Sequence, residues 1–306
     1  MLDLNSKDHY SLASENASRT LKVYIGCTGF NYQSWFYKKG GFYPVNIKKG
    51  ELLEYYSTQF PCCEINSTFY RIPTLATTTN WALRLPEHFI ITAKIPQSIS
   101  HSDNISAHKS ELDSFLLSML PLKKNLGPLL LQLPPSFEKN KKTTTQLENF
   151  VEQFPLEKFQ LVIEFRHKTW KIQEVIDFLN ANNIGIVSSF VPYIDFELFK
   201  ESKTKYFYIR LIGSQKTPIE SGNEIIDRTK HMEKILLLLN KVAKIGTHKQ
   251  FALIFTNNHY TGYAPEAAKK LMSLAQKIQS LEVVKPTTVF KGQYNLETFF
   301  EKREEK

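Results

Sequence analysis

Short apolar runs alternate with helix-like segments along most of the chain. Eight runs have the length and the β-branched or aromatic content of buried strands: 23–30, 62–66, 89–96, 127–134, 159–166, 184–190, 206–213 and 250–257. Apolar residues at helical spacing occupy 50–60, 75–85, 111–120, 144–154, 172–182, 227–245 and 265–278. The sixth run is followed by an irregular stretch without a convincing helix.

Strands that alternate with helices predict a parallel sheet. Eight such units in one chain of 306 residues predict α/β architecture as a single (β/α)8 TIM-type barrel, irregular around its sixth unit. A doubly wound open sheet is the alternative. We assign the barrel to 21–281, a polar and poorly ordered leader to 1–20, and an extension that packs on the barrel or trails from it to 282–306.

Polar residues concentrate near the carboxyl end of most predicted strands. In the segment LVIEFRHKTW, 161–170, Val162, Glu164 and Arg166 share one side of a strand, and the apolar residues between them share the other. The corresponding polar residues of the other strands are Thr28, Glu64, Asn66, Thr92, Lys94, Gln132, Ser188, Arg210, Thr256 and Asn258. The same alternation places Val187, Leu253 and Phe255 toward the helices.

These polar residues predict a charged pocket at the carboxyl end of the barrel, which is where barrel enzymes have their active sites. The alternative is a buried ion-pair network, for example Glu64 with Lys94 and Glu164 with Arg210. Such networks rarely improve stability, so the pattern favours a pocket.

Four residues are candidates for catalysis. Glu64 and Glu164 suit general acid–base chemistry, because a partly closed pocket can move a carboxyl pKa toward neutrality. Lys94 suits a charge clamp, a neutralising ion or a Schiff-base nucleophile. His167 follows Arg166 directly and is expected near the rim.

An anionic ligand is favoured by the basic residues. The net charge is +9, and only seven of the 39 basic residues are Arg. Arg71, Arg166 and Arg210 are expected to converge at the barrel mouth, where they outnumber the two carboxylates and suit a phosphate or carboxylate. Further candidates for substrate binding are Thr28, Tyr32, Trp35, Asn66, Tyr70, Gln132, Trp170, Asn257, Asn258 and His259. The aromatic ones could stack on a base or sugar, although Trp35 and Trp170 also suit a cap that closes the mouth.

Several segments carry a resemblance to a known family. They are GCTGFNYQSW (26–35), EINSTFYRIP (64–73), AKIPQSISH (93–101), LGPLLLQLPPSF (126–137), IEFRHKTW (163–170), YIRLIG (208–213) and FTNNHYTGYAP (255–265). In this order they resemble the YecE-like family of unknown function, whose members have a TIM-type barrel. The resemblance implies the fold and the pocket but no reaction. Many members carry a His where this chain has Ile212, so a His there is not essential.

No nucleotide, nucleophile-elbow or zinc motif is present, and we predict no cofactor and no metal site. A divalent metal held by Glu64, Glu164 and a His or Asn is the alternative. Cys27, Cys62 and Cys63 lack disulfide or metal spacing. Without a membrane-length apolar run or a signal peptide, the sequence predicts a cytoplasmic protein that does not enter a membrane. It does not fix the oligomeric state.

Three functions remain open. The first is an enzyme of the hydrolase or lyase type that acts on a phosphorylated or other anionic substrate. The second is a nucleic-acid-binding protein that uses the basic, aromatic-rimmed mouth. The third is a sensor that binds an anion without turnover.

Overall fold

Eight parallel strands close into a barrel in the computed structural model of the chain, which describes residues 20–36, 41–189, 201–219, 222–245 and 249–286. The strands are β1 (Leu21–Thr28), β2 (Cys62–Ile65), β3 (Ile90–Lys94), β4 (Leu126–Leu133), β5 (Leu161–Phe165), β6 (Gly185–Ser189), β7 (Tyr206–Leu211) and β8 (Phe251–Thr256). Because β1 pairs with both β2 and β8, the barrel closes. The predicted (β/α)8 barrel is confirmed, and the open-sheet alternative is wrong.

Helices cover the outside of the strands. They are α1 (Leu52–Gln59), α2 (Leu75–Arg84), α3 (Gln97–Ser100), α4 (Lys109–Met119), α5 (Lys141–Gln153), α6 (Gln173–Ala181), α7 (Thr229–Ile245), α8 (Asn258–Thr261) and α9 (Ala264–Ala275). The single turns α3 and α8 were not predicted; they follow β3 and β8 at the carboxyl end of the barrel. None of the helices in the described ranges is long and apolar enough to cross a bilayer. Residues 190–200, where the predicted irregular unit lies, fall outside the described residues.

Two apolar layers fill the molecule. The outer layer lies between strands and helices and includes Leu161, Ile163 and Phe165. The inner layer fills the barrel and consists of Cys62, Leu130, Val162, Val187, Tyr206, Tyr208, Leu253 and Phe255. The alternation predicted for β5 is therefore confirmed.

The alternation predicted for β6 and β8 is wrong by one residue. Val187, Leu253 and Phe255 lie inside the barrel, not against the helices. In β6, Ser189 pairs in register with Arg210, so Ser189 and not Ser188 faces the interior. Both strands are buried on both faces, and such strands carry apolar residues on each side, which removes the period-two signal.

The seam between β1 and β2 is a short stretch of the barrel wall. Only two residue pairs join these strands, Cys27 with Cys63 and Thr28 with Glu64. The amino end of β1 pairs instead with β9 (Leu281–Val283), a short strand that was not predicted. At the seam the Tyr56 hydroxyl accepts a hydrogen bond from the Cys27 amide (2.7 Å) and donates one to the Cys62 carbonyl (3.0 Å).

Replacing Tyr56 with Phe tests whether this hydroxyl holds the seam. The change leaves a buried amide and carbonyl without their shared partner, so we expect a loss of about 1–3 kcal/mol in the free energy of unfolding. Urea denaturation measures it. Tyr55→Phe, on the same helix, is the matched control, because no hydrogen bond of its hydroxyl is recorded within the described residues. If Tyr55→Phe lowered the free energy of unfolding as much as Tyr56→Phe, the Tyr56 hydroxyl would not be what holds the seam.

Candidate active site at the carboxyl end of the barrel

Arg210 of β7 joins two buried carboxylates across the interior of the barrel. Its Nε and Nη2 donate to Oε2 and Oε1 of Glu64 at 2.9 and 2.8 Å, and its Nη1 donates to Oε2 of Glu164. Glu64 and Glu164 are fully buried, and Arg210 is 3% exposed. The planar guanidinium matches a carboxylate in this two-bond geometry, which fixes the relative positions of β2, β5 and β7.

The network extends beyond Arg210 on both sides. Arg166 Nε donates to Oε1 of Glu164 at 2.8 Å. The Tyr208 hydroxyl donates to Oε2 of Glu64 at 2.8 Å, and its oxygen lies 2.8 Å from that of Thr92. The carboxyl ends of parallel strands meet at one end of a barrel, which is why residues so distant in sequence form one cluster.

Glu164 is held in its ionised form. Burial raises the pKa of this carboxyl, but the positive charges and hydrogen bonds of Arg210 and Arg166 outweigh burial and lower the pKa to about 2. The expectation that the pocket moves this pKa toward neutrality is therefore wrong, and Glu164 does not donate a proton near pH 7. The pair of Glu164 with Arg210, named as part of the alternative buried ion-pair network, is present in the structure.

Lys94 does not pair with Glu64 as the sequence suggested, since Glu64 pairs with Arg210. The Lys94 Nζ donates to Oε1 of Gln132 at 2.7 Å and lies 3.5 Å from the centroid of the Phe69 ring. Within the described ranges, no carboxylate oxygen forms an ion pair with it. Burial, followed by the positive charge of Arg210, lowers the pKa of Lys94 to about 7, so part of it is uncharged near neutrality.

His101 was not among the predicted site residues, although its place after β3 is a usable signal. Its Nε2 lies 3.5 Å from Nε2 of Gln132, and its ring meets Phe69 edge to face at 5.0 Å. Burial and the charges of Lys94 and Arg166 lower the pKa of His101 to about 4, so its ring is neutral near pH 7. A groove of about 430 Å³ opens here, lined by Phe69, Tyr70, Gln97, Ser98, His101 and Ser102.

Among the described residues, the buried polar atoms near the mouth that lack a hydrogen-bond partner include the following two. They are Oγ of Ser189, a residue 1% exposed, and Oδ1 of Asn66, which follows β2 directly. Buried polar groups in native proteins are nearly always hydrogen-bonded. These two atoms are therefore available to a bound ligand or to water. Sequence reasoning missed Ser189 because it assigned the opposite alternation to β6.

Three predicted binding residues are structural. Trp35 is fully buried, and its Nε1 donates to Oδ1 of Asn258 at 2.9 Å. The same Asn258 oxygen accepts from the Ala264 amide at 2.9 Å, so this side chain braces the start of α9. Trp170 is 2% exposed; its Nε1 donates to the carbonyl of Phe137 at 2.6 Å. These contacts give the three side chains a structural role, and their contact with a ligand stays a prediction.

Other predicted residues form hydrogen bonds at the ends of β1 and β8. Asn257 Nδ2 donates to Oγ1 of Thr28 at 2.7 Å, and the Tyr32 hydroxyl donates to the Thr28 carbonyl at 2.8 Å. Nδ1 of His259 lies 3.1 Å from the carbonyl of Thr217. This group lies beside the mouth, where it remains a candidate for substrate binding.

The remaining predicted residues lie on the rim. His167 caps a short 3₁₀ turn, with its Nδ1 2.8 Å from Oγ1 of Thr169. Tyr70 is 80% exposed, and Arg71 beside it is also exposed. Arg166 and Arg210 meet at Glu164, whereas the expectation that Arg71 joins them stays a prediction.

A metal between Glu64 and Glu164 is not supported by the geometry. Arg210 and Tyr208 occupy both oxygens of Glu64, while Arg210 and Arg166 occupy those of Glu164. In the part of the chain that the structure describes, no group of three or more His, Cys, Asp or Glu residues could hold a metal ion.

Replacing Arg210 with Met tests the network through its pH dependence. A buried carboxylate without a partner is costly, so we expect a loss of about 3–5 kcal/mol in unfolding free energy at pH 7.5. The depressed pKa of Glu164 means that wild type has the full stabilisation above pH about 4.5 and loses it as the pH falls toward 2. The variant gains stability from protonation, so its deficit should shrink between pH 7.5 and pH 4.5.

Urea denaturation at several pH values measures this deficit. Arg84→Met is the matched control, because Arg84 hydrogen-bonds Asn80 at the surface. Its deficit should stay below about 1 kcal/mol and should not change with pH. A deficit of Arg210→Met that is independent of pH would show that the two carboxylates do not depend on Arg210.

Comparison with known proteins places the chain in a family. A family model described as a protein of unknown function, DUF72, matches residues 24–289. The UPF0759 protein YecE of Escherichia coli K12 is 28% identical over 146 residues, 47% of this chain and 48% of that protein. YunF of Bacillus subtilis is 25% identical over 154 residues, 48% of this chain and 52% of that protein. The matched part of the chain thus spans about half the length of these curated relatives.

A solved structure shares the fold. The crystal structure of a DUF72 family protein from Thermotoga maritima superposes with a TM-score of 0.67 at 24% identity. The match covers 83% of this chain and 99% of that one. This likeness shows the same barrel and carries no reaction.

Proposed function

The chain belongs to the DUF72 family of unknown function, and from this premise we propose that it is an enzyme of the lyase or hydrolase type acting on an anionic small molecule. The observation that carries the proposal is the charge balance of the barrel mouth. Two arginines neutralise the two buried carboxylates, which leaves Lys94 as a cation without a counter-ion among the described residues. A bound anion would supply that counter-ion.

Arg166 is the second contact that we assign to the anion. Its side chain is 24% exposed, whereas that of Glu164 beneath it is fully buried. Its Nε bonds Glu164, and its two terminal NH2 groups have no partner among the described residues, so they suit a ligand. Glu164 then acts as a positioning residue that orients the guanidinium. Such a fork suits phosphate or carboxylate oxygens.

The uncharged part of the ligand has its own partners. The hydroxyl of Ser189 and the amide oxygen of Asn66 are buried, have no partner among the described residues, and suit hydroxyl or carbonyl groups of a substrate. The groove beside Phe69 and His101 offers about 430 Å³, which is enough for a small metabolite. These polar groups and the groove all lie at the carboxyl end of the barrel, which supports a substrate site there.

A second candidate function is nucleic-acid binding. It is favoured by Tyr70, 80% exposed at the rim, beside the exposed Arg71. An exposed ring next to a guanidinium suits a base and its phosphate. For either function we propose a cytoplasmic location, because all three cysteines are free, buried thiols.

A thermal-shift screen tests anion binding. We expect phosphorylated or carboxylated metabolites to raise the melting temperature, because a ligand that binds only the native state stabilises it. The shift should disappear in Arg166→Met and persist in Arg84→Met. It should also weaken above pH 7: anion binding favours protonated Lys94, whose pKa in the free protein is about 7, so affinity falls as the pH rises.

Single-stranded oligonucleotides form the other arm of the screen. A shift from oligonucleotides alone that collapses at higher salt would favour the second candidate function. No shift from any anion would overturn the proposal.

A further inference from the structure

We infer that Lys94 is a nucleophile that forms a Schiff base with the carbonyl carbon of an anionic aldehyde or ketone. The inference rests on the proposed function and names its substrate class. The charge balance alone would require Lys94 only to form an ion pair with the anion. The inference adds a covalent step at this residue.

The surroundings of the amine suit a nucleophile. Lys94 is 8% exposed at the end of β3, and among the described residues its Nζ forms one hydrogen bond, to Oε1 of Gln132. The face of Phe69 shields another side of it at 3.5 Å. Arg210 and Arg166 form the ion pairs of both nearby carboxylates, Glu64 and Glu164. An amine among guanidiniums and aromatic carbon loses its proton readily, and only the unprotonated form attacks a carbonyl.

A second buried lysine, Lys249, shows that burial alone does not make a lysine a candidate nucleophile. Burial also lowers the pKa of Lys249 to about 7. Its Nζ, however, donates to the backbone carbonyls of Ser202 and Thr204, both at 2.6 Å. This residue precedes β8, at the opposite end of the barrel, and it ties two segments together. Lys94 differs in lying at the carboxyl end, beside a groove and polar atoms that lack partners.

The step balances without a cofactor. The lone pair of neutral Lys94 Nζ forms a bond to the carbonyl carbon, and the π electrons move to oxygen. That oxygen takes one amine proton and one solvent proton and leaves as water. Nitrogen keeps one proton, so the product is a positively charged iminium. The anionic group of the substrate, held by Arg166, balances this new charge. The iminium can then accept the electrons of a neighbouring carbon–carbon bond, which is lyase chemistry.

Borohydride trapping on the full chain tests the step. The probes are pyruvate, glyoxylate and dihydroxyacetone phosphate, with uncharged dihydroxyacetone as the matched comparison. We expect at least one anionic probe to add its own mass less one oxygen after reduction. Peptide mapping should place the adduct on Lys94 and leave Lys249 unmodified. The neutral probe should react about tenfold less, the effect of losing one ion pair worth about 1.4 kcal/mol.

Two variants and the pH profile complete the design. Lys94→Arg keeps the positive charge but cannot form an imine, and Lys94→Met removes both the charge and the amine. Neither variant should give a trapped adduct at this site. The rate of trapping in wild type should rise with pH and level off above about 7, as Lys94 loses its proton.

The outcomes separate the two proposals. An anionic carbonyl that raises the melting temperature but gives no adduct on Lys94 overturns the nucleophile and leaves the proposed function intact. An adduct spread over surface lysines also overturns it. If no probe gives a thermal shift and none gives an adduct, both proposals are overturned.

Discussion

The pairing of Arg210 with Glu64 and Glu164 is the constraint on which the site depends. Each carboxylate is fully buried, and a buried charge is tolerated only when it is paired and hydrogen-bonded. Arg210 spans the interior to meet both, so three strands must hold their register for the network to form. The same pairing leaves Lys94 without a carboxylate. The unusual state of Lys94 is thus a consequence of how Arg210 is used.

Much of this arrangement is predictable from sequence where one side of a strand is polar. Glu164 and Arg166 mark the inner side of β5, and Glu64, Lys94 and Arg210 mark the inner sides of their strands. Which carboxylate pairs with which cation is not predictable, because strand order and side-chain reach decide it. The sequence pattern suggested Glu64 with Lys94, yet the longer, forked side chain from across the barrel forms that bond.

The sequence-based predictions are wrong where polar and apolar residues do not alternate clearly along a strand. In β6, Ser188 and Ser189 are adjacent serines, so the sequence does not show which of them faces the interior. Only the register with Arg210 assigns Ser189 to the interior. Directly after β8, the adjacent Asn257 and Asn258 have different partners: Asn257 donates to Thr28, and Asn258 accepts from Trp35. The Trp35 and Trp170 rings were expected at the mouth of the barrel, either stacked on a ligand or as a cap that closes the mouth. Both found partners in the outer layer, where burial of large rings is favourable and each indole N–H has an acceptor.

Binding and chemistry make opposite demands on Lys94. A protonated amine attracts the anion best, and a neutral amine is needed to attack a carbonyl. With a pKa of about 7 both forms are populated near neutrality; burial, Arg210 and Arg166 lower this pKa, whereas Glu164 and Glu64 raise it. A carboxylate paired directly with Lys94 would raise that pKa further and hold the amine as an ammonium. The double use of Arg210 therefore does more than hold the barrel together: by taking up both acidic groups, it keeps Lys94 in a state from which it can both bind and react.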